Sequence, residues 1–163
     1  MDLIDAMEQL DLPDSARAHL LMVGSGPLEA ELKMRAAAHG SRISFTGFLN
    51  QSEISAAFAV SDCLVLSSVS ETWGLVVNEA MACGLPAIVS DACGCAPDLI
   101  EQGRTGYSYP QGNVPELTKA MARMMDSAAA AEMGQEAKRR LDRSFTVSQA
   151  ANVLTAVIPG AVQ

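Results

Sequence analysis

The sequence predicts an α/β fold in which a Rossmann-like, doubly wound parallel sheet carries helices on both faces. Two observations support this prediction. Short apolar runs, which suit buried strands, alternate along the chain with longer segments whose apolar residues recur at helical spacing. Glycines or carboxylates follow several of these runs. Such alternation is typical of parallel βαβ units, whose ligands bind beyond the carboxyl ends of the strands.

The chain of 163 residues has the size of one globular domain, predicted to span residues 1–163. Hydrophobic residues make up 49% and charged residues 18%, a balance that argues against disorder. The net charge of −8 argues against nucleic acid as a partner. Because no apolar run can span a bilayer and the N-terminus is not a signal peptide, we expect a cytoplasmic protein without a transmembrane segment.

The first elements are predicted to be a helix, a strand, a second helix and a second strand. Apolar residues at helical spacing favour a helix over residues 3–10. Residues 19–23 form an apolar run that is too short for a helix and suits a buried strand. Pro27 suits the first turn of the next helix, which extends to residue 39. Residues 42–46 are predicted to form the second strand.

A third helix, a third strand and a fourth helix are predicted next. Ser52 is expected to cap the third helix, which ends near residue 60. The apolar run at residues 63–67 predicts the third strand. The segment after it opens the fourth helix, which Gly84 and Pro86 close because these residues are common helix stop signals.

The last part of the chain predicts two further strands and a helical C-terminus. Residues 87–90 and 106–109 are predicted to form the fourth and fifth strands, and a short helix is predicted between them at residues 97–102. The remaining helices are predicted at residues 114–125, 128–141 and 146–157.

The most informative segment places two carboxylates, Glu71 and Glu79, eight positions apart around the start of the fourth helix. The backbone N–H groups of Gly74, Leu75 and Val76 are expected to point out of that helix start, where an anion is favoured. Glu79 lies about one turn further along, on the face it shares with Leu75 and Val76. An anion site with a carboxylate on either side suits a ligand with phosphates in the middle and hydroxyls at both ends. A nucleotide-sugar has that layout.

The segment S-E-T-W-G-L-V-V-N-E-A-M-A-C-G-L-P, from Ser70 to Pro86, resembles the donor-site signature of family 4 glycosyltransferases, in which seven residues separate two glutamates. These are retaining enzymes of the two-domain GT-B architecture. The resemblance extends over nearly the whole chain but implies only the C-terminal half of such an enzyme. Further segments follow in the family's order at residues 21–28, 45–49, 90–100 and 103–107.

The resemblance implies a role for each candidate site residue. Glu71 is the catalytic candidate, expected to contact donor-sugar hydroxyls near the reacting carbon. Glu79 is expected to accept hydrogen bonds from vicinal ribose hydroxyls. The other predicted donor-binding residues are Thr72, Gly74, Leu75, Val76, Gly24, Gly26, Gly47, Phe48 and Leu49. No metal and no cofactor is expected, and the donor itself is a UDP- or GDP-linked sugar that acts as substrate.

Simpler interpretations of these residues stay open. Glu71 and Glu79 also suit the N-terminal part of a helix as unliganded charges. Gly24 and Gly26 are compatible with a plain turn. Asp98 stands where the family usually has a glutamate, and helix capping is an adequate explanation of it.

The four cysteines, Cys63, Cys83, Cys93 and Cys95, lack the spacing of a zinc site. Reduced cysteines in or near the core are the favoured interpretation in a cytoplasmic protein, and a redox role for Cys93 and Cys95 is the alternative.

In the resembled family this domain opens with a strand and a loop that carry an Arg and a Lys facing the donor phosphates. Met1 here begins inside the helix that should follow that loop, so this first strand and the acceptor domain are expected to be missing. The strand is central in the family's sheet, between the strands predicted here at residues 19–23 and 63–67. Those strands are expected to pair directly, to receive a segment from a second copy, or to receive a partner chain. Association of two copies is the favoured hypothesis.

Three classes of function follow from these observations. The first is a donor-binding domain of a retaining glycosyltransferase, not active alone. The second is a nucleotide-binding subunit that needs a separate acceptor-domain chain, and the third is a folded remnant that binds nothing. A sugar-nucleotide epimerase shares the fold, but its further His and acidic residues are not evident in a chain with only two histidines.

Overall fold

The computed structural model describes residues 1–10, 18–37, 42–145 and Gln149. Within these residues five strands alternate with helices, as the sequence predicts. The strands are β1 Leu20–Val23, β2 Ile43–Gly47, β3 Leu64–Leu66, β4 Ala87–Ser90 and β5 Gly106–Tyr109. The helices are α1 Asp2–Gln9, α2 Glu29–Ala37, α3 Ile54–Ala59, α4 Leu75–Ala82, α5 Ala96–Leu99, α6 Val114–Arg123 and α7 Ser127–Ser144. The helix predicted at residues 146–157 lies outside the described residues, apart from Gln149.

All strand pairs are parallel, and the Rossmann-like α/β prediction is confirmed. The strands form two sheets, one of β1 and β2 and one in the order β3-β4-β5. Among the described strands, β1 and β3 do not pair with each other, so the direct pairing considered from the sequence is not the arrangement found. Each of these two strands therefore has one edge that no described strand covers.

One of the buried hydrophobic clusters joins the two sheets. Ile4 and Met7 on the apolar face of α1 belong to the same buried cluster as Leu20 and Ile43 of the first sheet and Ile88 of the second. Helix α1 also packs against both α2 and α6. Because α1 contacts the helices of both halves, packing through the core holds the halves together although their strands do not pair.

The start of α3 differs from the prediction that Ser52 caps it. The cap is Glu53, which makes no side-chain capping bond, and α3 begins at Ile54. The carboxamide oxygen of Asn50 accepts hydrogen bonds from the backbone N–H groups of Ser52 and Glu53, at 3.0 and 3.1 Å. The prediction for Ser52 is wrong because Asn50 supplies the acceptor two residues earlier, in a turn of the kind that Asn favours.

Helix α7 packs against α4 through a glycine. A Cβ added to Gly134 would lie 2.0 Å from the carbonyl oxygen of Gly84 and 3.1 Å from Cδ of Pro86. The Lys138 ammonium donates a hydrogen bond to the carbonyl oxygen of Ala82 at 2.6 Å. The last turn of α4 is therefore fixed by α7, and with it the direction in which the helix start points.

No helix in the described part of the chain is both long enough and apolar enough to cross a membrane.

Candidate functional site

The loop between β3 and α4, residues 67–74, carries the first predicted carboxylate and ends at Gly74. Gly74 is the N-cap of α4 with φ of 100°, a left-handed conformation that favours glycine. A Cβ there would lie 3.0 Å from Cδ2 of Leu66 and 3.3 Å from Sγ of Cys95. The conformation therefore favours glycine, and an added Cβ would crowd these two side chains, at the point where this loop, called the Glu71 loop below, enters the helix.

The start of α4 presents unused backbone donors. No described residue accepts a hydrogen bond from the N–H groups of Gly74, Leu75 or Val76, and no side chain caps the helix. The next N–H group, that of Val77, donates to the carbonyl oxygen of Gly74 at 2.9 Å. The side chain of Leu75 is 69% exposed, so solvent reaches the helix end. Free N–H groups and the helix dipole together favour an anion at this position.

The two carboxylates have different environments. Glu79 is exposed on α4, and no described residue makes a hydrogen bond or ion pair with its carboxylate. Glu71 is half-buried, and its Oε1 accepts a hydrogen bond from the backbone N–H of Trp73 at 3.3 Å. The carboxylate oxygens of Glu79 are therefore available to accept hydrogen bonds from a ligand. The carboxylate of Glu71 is partly oriented by its own loop.

The Trp73 side chain packs into the protein. Its indole N–H donates to the Asn78 side-chain oxygen at 2.8 Å, and its ring centroid lies 6.4 Å from that of Phe145. These contacts place the ring under the Glu71 loop, where it supports Glu71 through the backbone between them.

A second group of predicted residues lies at the carboxyl ends of β1 and β2. The N–H of Gly24 donates to the carbonyl oxygen of Gly47 at 2.8 Å, and their φ angles are 116° and 71°. Phe48 is 76% exposed and Leu49 is half-buried. Gly26 has neither a positive φ nor any atom within 4 Å of an added Cβ, so neither backbone nor space requires glycine there.

Gly24 and Gly26 line a groove of about 260 Å³ at this end of the first sheet. Apolar side chains form much of its wall, namely Met22, Leu28 and Phe45. An open groove with a largely apolar wall suits a flat ring better than a charged group. The predicted residues thus form two groups, each at the carboxyl end of its own sheet, as expected for a parallel α/β fold.

The cysteines next to Glu71 are buried. Cys93 and Cys95 are free thiols, and burial raises the pKa of Cys95 to about 11. Burial is also the main cause that raises the pKa of Cys93, and the charge of Glu71 adds to it. Thiols held protonated in this way are poor nucleophiles. Within the described residues, no cluster of three or more His, Cys, Asp or Glu side chains could hold a metal ion.

The position of the Glu71 loop depends on residues that the sequence analysis did not select. The loop after β4, residues 90–95, lies beside it, and an isolated parallel bridge joins Glu71 to Cys93. A Cβ added to Gly94 would lie 2.0 Å from the carbonyl oxygen of Thr72. In the sequence, the close contact between these two loops is indicated only by the short run C-G-C, which contains a glycine and follows a predicted strand. Asp98, by contrast, is exposed in the first turn of α5.

Comparison with known proteins supports a family relationship. The profile of the family described as "Glycosyl transferases group 1" matches residues 1–140. The chain is 35% identical over 130 residues to sulfoquinovosyl transferase SQD2 of Arabidopsis thaliana. The aligned region covers 77% of this chain and 25% of that protein. It is 34% identical over 131 residues to N-acetyl-alpha-D-glucosaminyl L-malate synthase of Bacillus anthracis, which covers 78% of this chain and 34% of that protein. The chain thus spans about a quarter to a third of these relatives.

Solved structures show the same fold. Anabaena HepE in complex with UDP and glucose aligns with a TM-score of 0.80 at 26% identity, over 95% of this chain and 44% of that one. The C-terminal domain of a group 1 glycosyl transferase (LpcC) from Francisella tularensis aligns with a TM-score of 0.79 at 22% identity, over 90% of this chain and 78% of that one.

Proposed function

Because the chain belongs to the glycosyl transferases group 1 family and has the fold of GT-B glycosyltransferases, we propose that it is the donor-binding domain of a retaining glycosyltransferase. The reaction moves a sugar from a nucleotide-diphosphate sugar to an acceptor hydroxyl. The observation that carries the proposal is the start of α4, where three N–H groups without described acceptors lie between Glu71 and Glu79. We expect the domain to be inactive alone, because the acceptor must be bound as well.

In this proposal the diphosphate binds at the start of α4. The N–H groups of Gly74, Leu75 and Val76 donate to phosphate oxygens, and the helix dipole stabilises their charge. Glu79, one turn into the helix, accepts hydrogen bonds from the ribose hydroxyls. Glu71 accepts from hydroxyls of the sugar on the other side of the diphosphate. The assignment uses the exposed carboxylate of Glu79, which has no described partner, and the partial orientation of Glu71 by its own loop.

The nucleotide base is proposed to bind at the first sheet. The apolar groove beside Gly24 and Gly26 and the exposed ring of Phe48 offer flat contacts to a base, together with the backbone of Gly47 and the side chain of Leu49. The solved HepE complex contains UDP and glucose, which makes a uridine nucleotide the first ligand to test here. GDP is the alternative, since nothing in this groove distinguishes the bases.

The chemical role of the domain is electrostatic. In a retaining transfer the leaving phosphate takes up charge as its bond to the sugar breaks and assists the acceptor hydroxyl. The preorganised N–H groups at the start of α4 lower the energy of that charge without reorganisation. No metal is part of this proposal. A cytoplasmic location stays a prediction from the sequence.

Calorimetry with UDP and GDP tests the proposal directly. We expect one of them to bind with measurable heat, because the start of α4 offers backbone N–H groups without described acceptors. Pyrophosphate and uridine, titrated separately, show whether the anion site and the base groove both contribute. The proposal would be contradicted if neither nucleotide, at millimolar concentration, produced heat or changed the amide chemical shifts.

The divided sheet favours a second candidate, a nucleotide-binding subunit that needs another chain. The uncovered edges of β1 and β3 carry backbone groups without strand partners among the described residues. Val23 at the end of β1 is 41% exposed, and the three apolar residues of β3 are only half-buried. An acceptor-domain chain or a second copy that covers these edges would bury this surface.

We expect purified protein to associate at high concentration. A second copy that covers the edge removes apolar surface from water. If it also pairs with the edge strand, it avoids burying backbone groups without partners, which costs on the order of 1–3 kcal/mol for each group. Light scattering should give a mass of about twice 17.1 kDa. A compact monomer over the whole concentration range would exclude self-association. A remnant without function is distinguished from both candidates by its failure to bind nucleotide.

A further inference from the structure

The Glu71 loop is tied to the loop after β4 by backbone hydrogen bonds. The N–H of Glu71 donates to the carbonyl oxygen of Ala92 at 3.3 Å, and the N–H of Gly94 donates to that of Glu71 at 2.9 Å. The N–H of Cys95 donates to the carbonyl oxygen of Trp73 at 3.0 Å. Backbone pairing therefore continues beyond the carboxyl ends of β3 and β4 and includes Glu71 itself.

One side chain adds to these backbone bonds, that of Ser90 at the end of β4. Its hydroxyl donates to the carbonyl oxygen of Ser68 at 2.8 Å and accepts from the N–H of Ala92 at 3.1 Å. Ser90 is 0% exposed. On its other side it pairs with Tyr109 of β5, so its position is fixed by the sheet. A buried hydroxyl with both functions used thus sets the spacing between the two loops.

We propose that Ser90 is a positioning residue for Glu71, an inference that rests on the donor-binding role proposed above. Ser90 touches no ligand in this proposal and acts through Ser68 and Ala92. Without its hydroxyl, the carbonyl oxygen of Ser68 and the N–H of Ala92 lose their partner in a partly buried region. The Glu71 loop then moves toward water to satisfy the carbonyl, and the Glu71 carboxylate moves with it.

The chain offers a matched control in Thr105. Its buried hydroxyl, 1% exposed, donates to the carbonyl oxygen of Leu99 at 2.9 Å and accepts from the N–H of Glu101 at 2.8 Å. Thr105 precedes β5 and so lies at the amino end of the sheet, whereas Ser90 lies at its carboxyl end. Ser90→Ala and Thr105→Val each remove one buried hydroxyl that bridges two backbone groups, but only Ser90 adjoins the Glu71 loop.

Trp73 provides a readout of the loop that needs no ligand. It is the only tryptophan of the chain, and it lies in the Glu71 loop. We expect acrylamide to quench its fluorescence more strongly in Ser90→Ala than in the wild type, by roughly 1.5-fold or more, because a loosened loop admits solvent. Acrylamide should quench the fluorescence of Thr105→Val to the same extent as that of the wild type. If Ser90→Ala does not fold, Ser90→Cys keeps the shape with a weaker donor and should shift quenching in the same direction.

The affinities for UDP and UDP-glucose then test the effect on Glu71. Ser90→Ala should reduce the preference for UDP-glucose over UDP by roughly fivefold, the equivalent of one hydrogen bond. Thr105→Val should leave the preference unchanged.

Three results would overturn the inference. The first is unchanged quenching in the Ser90 variants, and the second is an equal change of quenching in the Thr105→Val control. The third is an unaltered ligand preference in a Ser90→Ala variant whose quenching has increased. If the wild type binds neither these ligands nor GDP but quenching changes as expected, the donor-binding proposal fails, and the anchoring of the Glu71 loop by Ser90 stands.

Discussion

Gly134→Ala should lower the free energy of unfolding by about 2 kcal/mol. An added Cβ would lie 2.0 Å from the carbonyl oxygen of Gly84, and that oxygen is backbone, which does not rotate away. Helix α7 must therefore move off α4. Overpacking of this kind costs typically ~1–3 kcal/mol. The move also disturbs the buried cluster that Val77 and Met81 of α4 share with Ala137 and Leu141 of α7.

Urea denaturation measures this effect. Gly26→Ala is a suitable control, because a Cβ at that position meets no atom within 4 Å and φ is not positive. Helix propensity alone predicts the opposite sign for Gly134→Ala, since alanine is favoured over glycine inside a helix by about 1 kcal/mol. A stabilised Gly134→Ala variant would therefore show that the close approach of α7 to Gly84 is not present in solution.

Glu79→Ala should weaken UDP binding by at least about tenfold. The carboxylate is exposed, has no partner among the described residues, and stands one turn into α4 from the free N–H groups. If it accepts from the ribose hydroxyls, its removal loses at least one hydrogen bond to a charged group, which contributes ~1.5–3 kcal/mol. Calorimetric titration with UDP and with UDP-glucose should show similar losses, because both ligands carry the ribose.

Glu71→Ala should behave differently from Glu79→Ala. Glu71 precedes the helix start in its loop and is assigned to the sugar in the proposed function, so its removal should mainly reduce the preference for UDP-glucose over UDP. Glu132→Ala, which removes an exposed carboxylate from α7, controls for the change in net charge. Equal losses for both ligands in the Glu71 and Glu79 variants would contradict the assignment of the two carboxylates to opposite ends of the donor.

Local sequence signals predicted most elements. The strands at residues 87–90 and 106–109 are confirmed with the same bounds. The first is a short apolar run after Pro86, and the second has two aromatic residues, which strands favour. The prediction for Ser52 failed because residues 51–53 form a turn whose side-chain acceptor is Asn50, and α3 begins only at Ile54. Only the relative placement of these residues in the turn decides that Asn50 makes the bonds.

The alternation of strands and helices, the spacing of Glu71 and Glu79 and the glycine at which α4 begins can be predicted from the residue pattern. These features depend on neighbouring residues and on the period of apolar positions. The division of the strands into two sheets, the bond from Ser90 to Ser68 across 22 positions and the contact of Gly134 with Gly84 emerge only in the folded molecule. Such contacts depend on where packing brings distant backbone segments, and no local pattern of residue types encodes that distance.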